Sequence, residues 1–160
     1  MTTTDQRTAL EDRALIRETL LRYAAGVDRK DWDLMATCFT DDCDGVWNGV
    51  ELHGIQAIVD YINQAASIWT VLSSAHMLTN IYVELDDDGD TAKVETYGFS
   101  ALMGTRDSET FLRMRGLRYL DVVVRRDGEW KIKHRKLIAD WEQQSPAWVP
   151  VVPSEPSPPR

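Results

Sequence analysis

The periodicity of the apolar residues changes once along this chain, near Ser73. Before that position apolar residues recur every three or four places, as at Ile16, Leu20, Tyr23 and Val27, which is the spacing of one helix face. After it come four long β-rich runs. "DDDGD" joins two of them and "RDG" joins two, and both linkers are typical of hairpin turns. Helices followed by an antiparallel meander predict an α+β fold, in which the sheet curls over the N-terminal helices.

Three helices are predicted before the sheet. The first begins near Thr8, where "TALE" fits a capping box with Glu11 three residues on, and its apolar stripe ends at Val27. Asp31 is the predicted N-cap of a second, short helix, and a third helix follows Gly54. Between the second and third helices we expect a short strand, an Asn-Gly turn and a short return strand.

The chain divides into one domain and two terminal segments. Its 160 residues suffice for a single core, which at this length buries roughly 70% of the unfolded surface without a metal or a disulfide. We assign residues 8–145 to that domain and residues 1–7 to a flexible N-terminus. All six prolines fall within 146–160, and this Pro-rich tail is expected to be extended or disordered.

The acidic composition argues against two classes of partner. The formal net charge is −8 and the sequence pI is about 4.8, so neither nucleic acid nor an anionic membrane is expected to bind. The two cysteines, Cys38 and Cys43, form no disulfide framework and no metal-ligand spacing. The N-terminus lacks the apolar core of a signal peptide, and no stretch is apolar enough to span a membrane. A reducing cytoplasm is the predicted location.

The first candidate for chemistry is Asp28 with His76. Asp28 follows the apolar stripe of the first helix, and His76 stands near the start of the first long strand. If the two side chains meet, the carboxylate would hold one imidazole nitrogen protonated and leave the other free to act as a base. The alternative is structural: Asp28 solvates a helix terminus, and His76 donates to a backbone carbonyl.

Two further side chains are candidates for stabilising negative charge. Tyr23 stands five residues before Asp28, from where its phenol would donate to a substrate oxygen; a buried tyrosine with its hydroxyl at the surface is the alternative. Arg135 shares a strand face with Leu137, and an arginine in apolar surroundings would bind an anionic or oxygen-rich group. An exposed arginine beside strand lysines is the alternative.

The aromatic residues suggest a hydrophobic cavity. Four of them are predicted to line it and to accept a flat, cyclic substrate, with core packing as the alternative: Trp47, Tyr97, Phe99 and Trp141. No metal site is expected. The acidic run 84–95 imitates the ligand spacing of an EF-hand, but strands flank it, so a hairpin turn is predicted there.

The first long strand has two apolar faces. Strict alternation places residues 76, 78, 80 and 82 on one face and residues 75, 77, 79, 81 and 83 on the other. Because both sets are mainly apolar, we expect one face to be covered by the helices and the other by another subunit.

Four segments together resemble the SnoaL-like branch of the NTF2-like superfamily: "LLRYAAGVDRKDWDLMATCFTDD", "GVELHGIQAIVDYI", "AHMLTNIYVEL" and "RYLDVVVRRDGEWKIKHRKLIADW". The resemblance spans about residues 8–145. It implies a cone, in which N-terminal helices pack on a strongly curved, mainly antiparallel sheet that encloses a pocket.

Within that superfamily the functional resemblance is to scytalone dehydratases, bile-acid 7α-dehydratases and hexachlorocyclohexane dehydrochlorinases. It implies that Asp28 and His76 form a catalytic base, that Tyr23 and Arg135 match pocket residues, and that no cofactor is used. It also implies a homo-oligomer, with a trimer favoured and a dimer as the alternative.

This chain departs from the bile-acid enzymes in one respect. They carry a further acid on the second long strand, where this chain has Phe99 in "VETYGFS", with Glu95 or Tyr97 as candidate replacements. The expected function is a cofactor-independent lyase of the dehydratase type, or an isomerase, acting on a hydrophobic cyclic small molecule. Three alternatives stay open: a ketosteroid-isomerase-like or polyketide-cyclase-type enzyme, a non-catalytic binding protein, and a structural partner like a dioxygenase β-subunit.

Overall fold

The structure is a computed structural model and describes residues 3–67 and 70–149. Helices come first along this part of the chain and long strands come last. The elements in order are α1 (Thr3–Arg29), α2 (Trp32–Thr37), β1 (Phe39–Trp47), β2 (Val50–His53), α3 (Ile55–Ser67), β3 (Thr70–Leu85), β4 (Thr91–Arg106), β5 (Glu109–Arg126) and β6 (Glu129–Pro146). The predicted α+β class is confirmed.

The strands form one open, six-stranded mixed sheet in the order β2-β1-β6-β5-β4-β3. Strands β3 to β6 are the predicted antiparallel meander, whereas β1 pairs with β6 in parallel and with β2 as a hairpin. Register shifts interrupt β1–β6, β3–β4 and β5–β6 pairing. Because a bulge bends its strand and increases the local twist, these shifts curve the sheet around the helices.

Helix α1 is fixed to the concave face of the sheet by both apolar and polar contacts. Ile16 and Leu20 are fully buried in the core. Thr19 donates its hydroxyl to the backbone carbonyl of Trp130 at 2.9 Å, and the Trp130 indole donates to Asp12 at 3.1 Å. These buried hydrogen bonds set the position of the helix, and hence of the residues at its C-terminal end.

The ends of the first two helices follow from local sequence. Helix α1 begins at Thr3 rather than at the predicted Thr8. A Cβ at Gly26 would lie 2.9 Å from the backbone nitrogen of Met35, so this glycine permits α2 to approach α1 closely. Asp31 accepts from the Leu34 amide at 3.0 Å, as its predicted role as N-cap requires.

The predicted face alternation of β3 fails after Leu78. His76 and Leu78 are half-buried on the concave side, as expected, but Tyr82 is exposed, and Val83 is buried instead. The cause is an extra residue in the pairing with β4 between Leu78 and Ile81. A bulge of this kind moves all later side chains to the opposite face.

The last strand runs into the predicted tail. Pro146 ends β6 opposite Phe111, and the amide of Ala147 donates to the carbonyl of Thr110 at 3.1 Å. The remainder of the predicted tail, 150–160, lies outside the described residues. The division into a flexible N-terminus, a domain and a tail stays a prediction.

Candidate active site

Asp28 and His76 are in direct contact. Asp28 lies in the last turn of α1, and the packing of α1 on β3 brings its carboxylate to His76. The Nδ1 atom of His76 lies 2.6 Å from Asp28 Oδ1, and the backbone amide of His76 donates to Oδ2 at 2.8 Å. Ser74 donates its hydroxyl to Oδ1 at 2.7 Å. Asp28 therefore binds both the ring and the backbone of the residue that it orients.

The hydrogen bonds keep Asp28 ionised. Burial opposes ionisation of this carboxyl, but donation from the His76 ring, from the His76 backbone amide and from Ser74 outweighs it and lowers the pKa of Asp28 below its ordinary value. An ionised Asp28 accepts the Nδ1 proton of His76, which leaves Nε2 as the nitrogen with a free lone pair. The His76 side chain is only 12% exposed, so its orientation is fixed by these contacts.

His76 lines a cavity between the helices and the concave face of the sheet. The volume of this cavity is about 150 Å³. Five aromatic residues contribute to its wall: Tyr23, Trp32, Trp47, Tyr61 and Tyr119. Two of the predicted site residues, Tyr23 and Trp47, thus share a cavity with His76.

Arg135 lies behind this wall rather than in it. Its side chain is fully buried, and its guanidinium makes a two-pronged ion pair with Asp121, from Nε at 2.8 Å and from Nη2 at 2.7 Å. The guanidinium carbon lies 4.1 Å from the ring centroid of Tyr23 and 4.2 Å from that of Tyr119. Arg135 is not among the residues that line the cavity, so its expected direct contact with substrate is corrected to a contact with the two tyrosines.

Two buried groups in this cluster have shifted pKa values. Burial works against the charge of Arg135, but Asp121 outweighs it and raises the pKa of the guanidinium above its ordinary value. Burial first, and Tyr23 second, raise the pKa of Tyr119 well above its ordinary value, against the opposing charge of Arg135. Tyr119 is therefore a protonated hydrogen-bond donor.

Three of the predicted lining residues lie on the other face of the sheet. Tyr97, Phe99 and Trp141 are 44%, 41% and 46% exposed, and the rings of Phe99 and Trp141 pack on each other at 5.9 Å. In β4 the concave face is occupied by the residues of opposite parity, including Ser100. In the β5–β6 pairing Leu117 lies opposite Ala139, and its neighbour Gly116 lies opposite Trp141. Strand β6 therefore has one extra residue before Trp141, and this bulge turns the Trp141 ring outward.

No acid of β4 replaces the one that the bile-acid enzymes carry. Glu95 has the same parity as the exposed Tyr97 and lies 3.5 Å from Arg118 in an exposed ion pair. Ser100, directly opposite His76 in the β3–β4 register, is the polar residue of β4 that reaches the cavity.

Sequence reasoning missed two arginines in the cavity wall. Arg113 and Arg115 have the parity of Leu117 and Tyr119 in β5, and all four line the cavity. Both arginines contact Glu142 of β6. Alternation along "RMRGLRY" places these two charges on the same face as Tyr119. The sequence does not indicate which face of this strand is concave, so the arginines were not predicted to line the cavity.

The remaining titratable candidates lie elsewhere. His134 contacts Asp44 at 2.6 Å on the partly exposed face of β6, away from the cavity. The run 84–95 forms a β3–β4 hairpin, whose turn is held by hydrogen bonds to Asp88.

Burial raises the pKa of the Cys43 thiol to about 11, so it is a poor nucleophile. Within 3–67 and 70–149, no group of three or more His, Cys, Asp or Glu side chains is arranged to hold a metal ion.

An N-terminal helical layer on the concave face of an open, mainly antiparallel sheet, with a cavity between them, is the α+β architecture of NTF2-like proteins. The family of the SnoaL-like domain matches residues 8–136, and the chain belongs to this family.

Three similar proteins place the chain among known sequences and folds. It is 32% identical over 142 residues to the Terrestric acid biosynthesis cluster protein E of Penicillium crustosum, over 84% of this chain and 87% of that protein. The hexachlorocyclohexane dehydrochlorinase LinA-type3 of Novosphingobium barchaimii superposes with a TM-score of 0.77 at 20% identity, over 93% of this chain and 99% of that chain. A Novosphingobium aromaticivorans protein proposed as a scytalone dehydratase gives a TM-score of 0.74 at 20% identity, over 90% and 93%. At these identities the two structures establish the shared fold.

None of the helices described here has the length and apolar character needed to cross a membrane.

Proposed function

We propose that this chain is a cofactor-independent enzyme that removes a proton from carbon in a hydrophobic, cyclic small molecule, with Asp28 and His76 as its general base. The reaction is a dehydratase-type elimination or an isomerisation. The observation that carries the proposal is the 2.6 Å contact between His76 Nδ1 and Asp28 Oδ1 at the wall of an aromatic-rich cavity. That contact leaves Nε2 as the basic nitrogen.

In the proposed reaction Nε2 of His76 takes a proton from a carbon next to a carbonyl group, and Asp28 stabilises the imidazolium that forms. The electron pair of the broken C–H bond moves onto the carbonyl oxygen as an enolate. Tyr23 and Tyr119 are the donors proposed for that oxygen, with Arg135 behind their rings.

The enolate then has two routes. In an elimination it collapses to a carbon–carbon double bond while the bond to a neighbouring hydroxyl breaks, and the imidazolium protonates the departing oxygen to give water. In an isomerisation the imidazolium returns the proton to a different carbon. Both routes restore neutral His76 without a redox partner.

The relatives support small-molecule chemistry. The Penicillium crustosum relative is named for a biosynthesis cluster, and two proteins of similar structure are named as a dehydrochlorinase and as a proposed dehydratase. An aromatic-lined cavity suits a flat ring, since stacked aromatic contacts stabilise such a ligand.

We also retain, as part of this proposal, a cytoplasmic location and a homo-oligomer, with a trimer favoured over a dimer. The support for self-association is the exposure of apolar side chains on the convex face of the sheet, among them Met77, Phe99 and Trp141. Light scattering at micromolar concentration tests it, and a monomer would contradict it.

The test of the reaction follows proton exchange rather than a known substrate. The protein is incubated in heavy water with a panel of two-ring cyclic β-hydroxyketones, and loss of the α-proton and appearance of the unsaturated ketone are followed by NMR. His76→Ala and Asp28→Asn should each slow exchange by about 10²–10⁴-fold, the usual contribution of a general base.

The chain provides a matched control. His134 has an aspartate contact of the same length as that of His76, but outside the cavity, so His134→Ala should leave exchange unchanged. A His76→Ala variant that exchanges the α-proton at the wild-type rate would contradict the proposal. A large effect of Asp28→Asn with none of His76→Ala would instead favour a ketosteroid-isomerase-like reaction, in which a carboxylate is the base.

A further inference from the structure

The charge inside the cavity is opposite in sign to that of the whole protein. The chain carries a formal net charge of −8. Of the described residues that line the cavity, those with a formal charge are all basic, namely Lys30, Arg113 and Arg115, and none is Asp or Glu. A cavity with this lining attracts an anion, and its low-dielectric walls strengthen that attraction.

The two arginines converge on one carboxylate oxygen. Arg113 Nη2 lies 2.6 Å from Glu142 Oε2, and Arg115 donates to the same oxygen from Nε at 3.2 Å and from Nη2 at 2.8 Å. Their donation lowers the pKa of Glu142 to about 2. Two guanidinium groups on one carboxylate give this cluster an excess positive charge, in a geometry that already accommodates a planar anion.

The cluster is in line with the proposed base. His76 pairs with Ser100, Ser100 pairs with Arg115, and Arg115 pairs with Glu142 across four neighbouring strands. At about 4.8 Å between adjacent strands, the backbones of His76 and Arg115 are about 10 Å apart. The Arg115 guanidinium is directed toward Glu142 of β6, on the side of β5 away from His76, which leaves the space over β4 for a ring.

We propose that Arg113 and Arg115 bind a carboxylate, or an equally planar oxyanion, on the substrate. This inference rests on the proposed function, and it specifies the substrate class as a cyclic acid whose anionic group is bound by Arg113 and Arg115 while His76 takes a proton from the ring. Glu142 holds the two guanidinium groups through its own carboxylate and would compete with the substrate anion for them.

A purely structural role makes a different prediction. If the arginines serve only to tie β5 to β6 through Glu142, removing Glu142 loosens the sheet and brings no gain in anion binding. If they bind substrate, Glu142→Gln removes the competing carboxylate and strengthens anion binding. The sign of this one change separates the two roles.

The experiment uses two probes of the same shape, naphthoate and its neutral amide, with affinities measured by calorimetry on the full chain. We expect the wild-type protein to bind naphthoate about tenfold or more tightly than the amide, the typical effect of charge-assisted hydrogen bonds. Arg115→Gln and Arg113→Gln should each remove most of this preference, and Glu142→Gln should increase it. The amide affinity should stay within about twofold throughout, because the ring contacts are unchanged.

Arg118→Gln is the matched control, since Arg118 is three residues along the same strand but pairs with Asp140 on the convex face. It should leave the preference for naphthoate unchanged. NMR shifts of the His76 ring on addition of naphthoate place the probe in the cavity, and melting temperatures verify that each variant is folded. Equal affinities of the wild-type protein for the two probes, or naphthoate binding by a folded Glu142→Gln variant that is no tighter than that of the wild type, would overturn the inference.

The outcomes of the two proposals are independent. The binding experiment requires no turnover, so a failure of His76 to exchange protons would leave the affinities as predicted. Conversely, loss of the anion preference would leave the proton-exchange test of Asp28 and His76 intact.

Discussion

Arg135 is enclosed between the rings of Tyr23 and Tyr119, and its guanidinium is bound edge-on by Asp121. Both members of the ion pair have fully buried side chains, and the ring centroids lie 4.1 and 4.2 Å from the guanidinium carbon. A buried charge is stable only while its partner is present. The pair therefore fixes the two phenols that we propose as donors to the substrate oxygen.

Removing one partner of this pair should be costly. Arg135→Met leaves the Asp121 carboxylate buried without a counter-charge, and we expect the free energy of unfolding to fall by about 3–5 kcal/mol. The double variant Arg135→Met/Asp121→Leu should be less destabilised than the single one, because no uncompensated charge remains. Urea denaturation measures both, and a single variant within about 1 kcal/mol of wild type would show that the pair is not the main support of the wall.

The contribution of Asp28 to stability should depend on pH in one direction. Its pKa is lower in the folded protein than the ordinary value of 3.8, so the folded state favours the ionised form. That stabilisation is fully present above pH 3.8 and is lost as the pH falls through the lower, folded value. We expect the Asp28 contribution, measured as the difference in unfolding free energy between wild type and Asp28→Asn, to be retained above pH 3.8 and to shrink as the pH falls below that value. A difference that grows on acidification would contradict the assignment.

Ser74 should be one source of that lowered pKa. Ser74→Ala removes the 2.7 Å hydrogen bond to Asp28 Oδ1 and should raise the pKa of Asp28 toward its ordinary value, as measured by carbon-13 NMR of the side-chain carboxyl. Ser73→Ala is the control, because Ser73 is the exposed neighbour on the same strand. An unchanged pKa in Ser74→Ala, with the same His76 contact, would mean that the imidazole and the backbone amide suffice.

Local signals in the sequence set both ends of the contact between Asp28 and His76, whereas the pairing itself was implied by the family resemblance. The apolar stripe ends at Val27 just before Asp28, and β-rich sequence begins near Ser73. Once the helix lies on the sheet, these two positions meet. The element order was predictable for the same reason.

Strand parity was not predictable, because both faces of the sheet carry apolar residues. With no polar face to anchor the alternation, Phe99 and Tyr97 were placed in the cavity, whereas Ser100 is there instead. Bulges displaced Trp141 and the end of β3, and such insertions leave no local sequence mark. Asp121 did leave a mark: an acid inside the apolar run "LDVVV" requires a buried counter-charge, and Arg135 supplies it.

The parallel pairing of β1 with β6 should be the part of the fold least tolerant of an added methyl group. A Cβ at Gly45 would clash with the backbone oxygen of Arg135 and would lie 2.5 Å from the Trp47 ring. A backbone oxygen in a paired strand cannot move aside, so Gly45→Ala should separate the strands and displace a tryptophan of the cavity wall. We expect a loss of about 3 kcal/mol or more in unfolding free energy, at the upper end for overpacked sites, together with a shift in tryptophan fluorescence.

Gly98→Ala is the matched strand control, because its added Cβ would meet no atom closer than 3.2 Å. Its loss of unfolding free energy should be clearly smaller. Equal costs for the two variants would show that the contact at Gly45 does not limit the β1–β6 pairing.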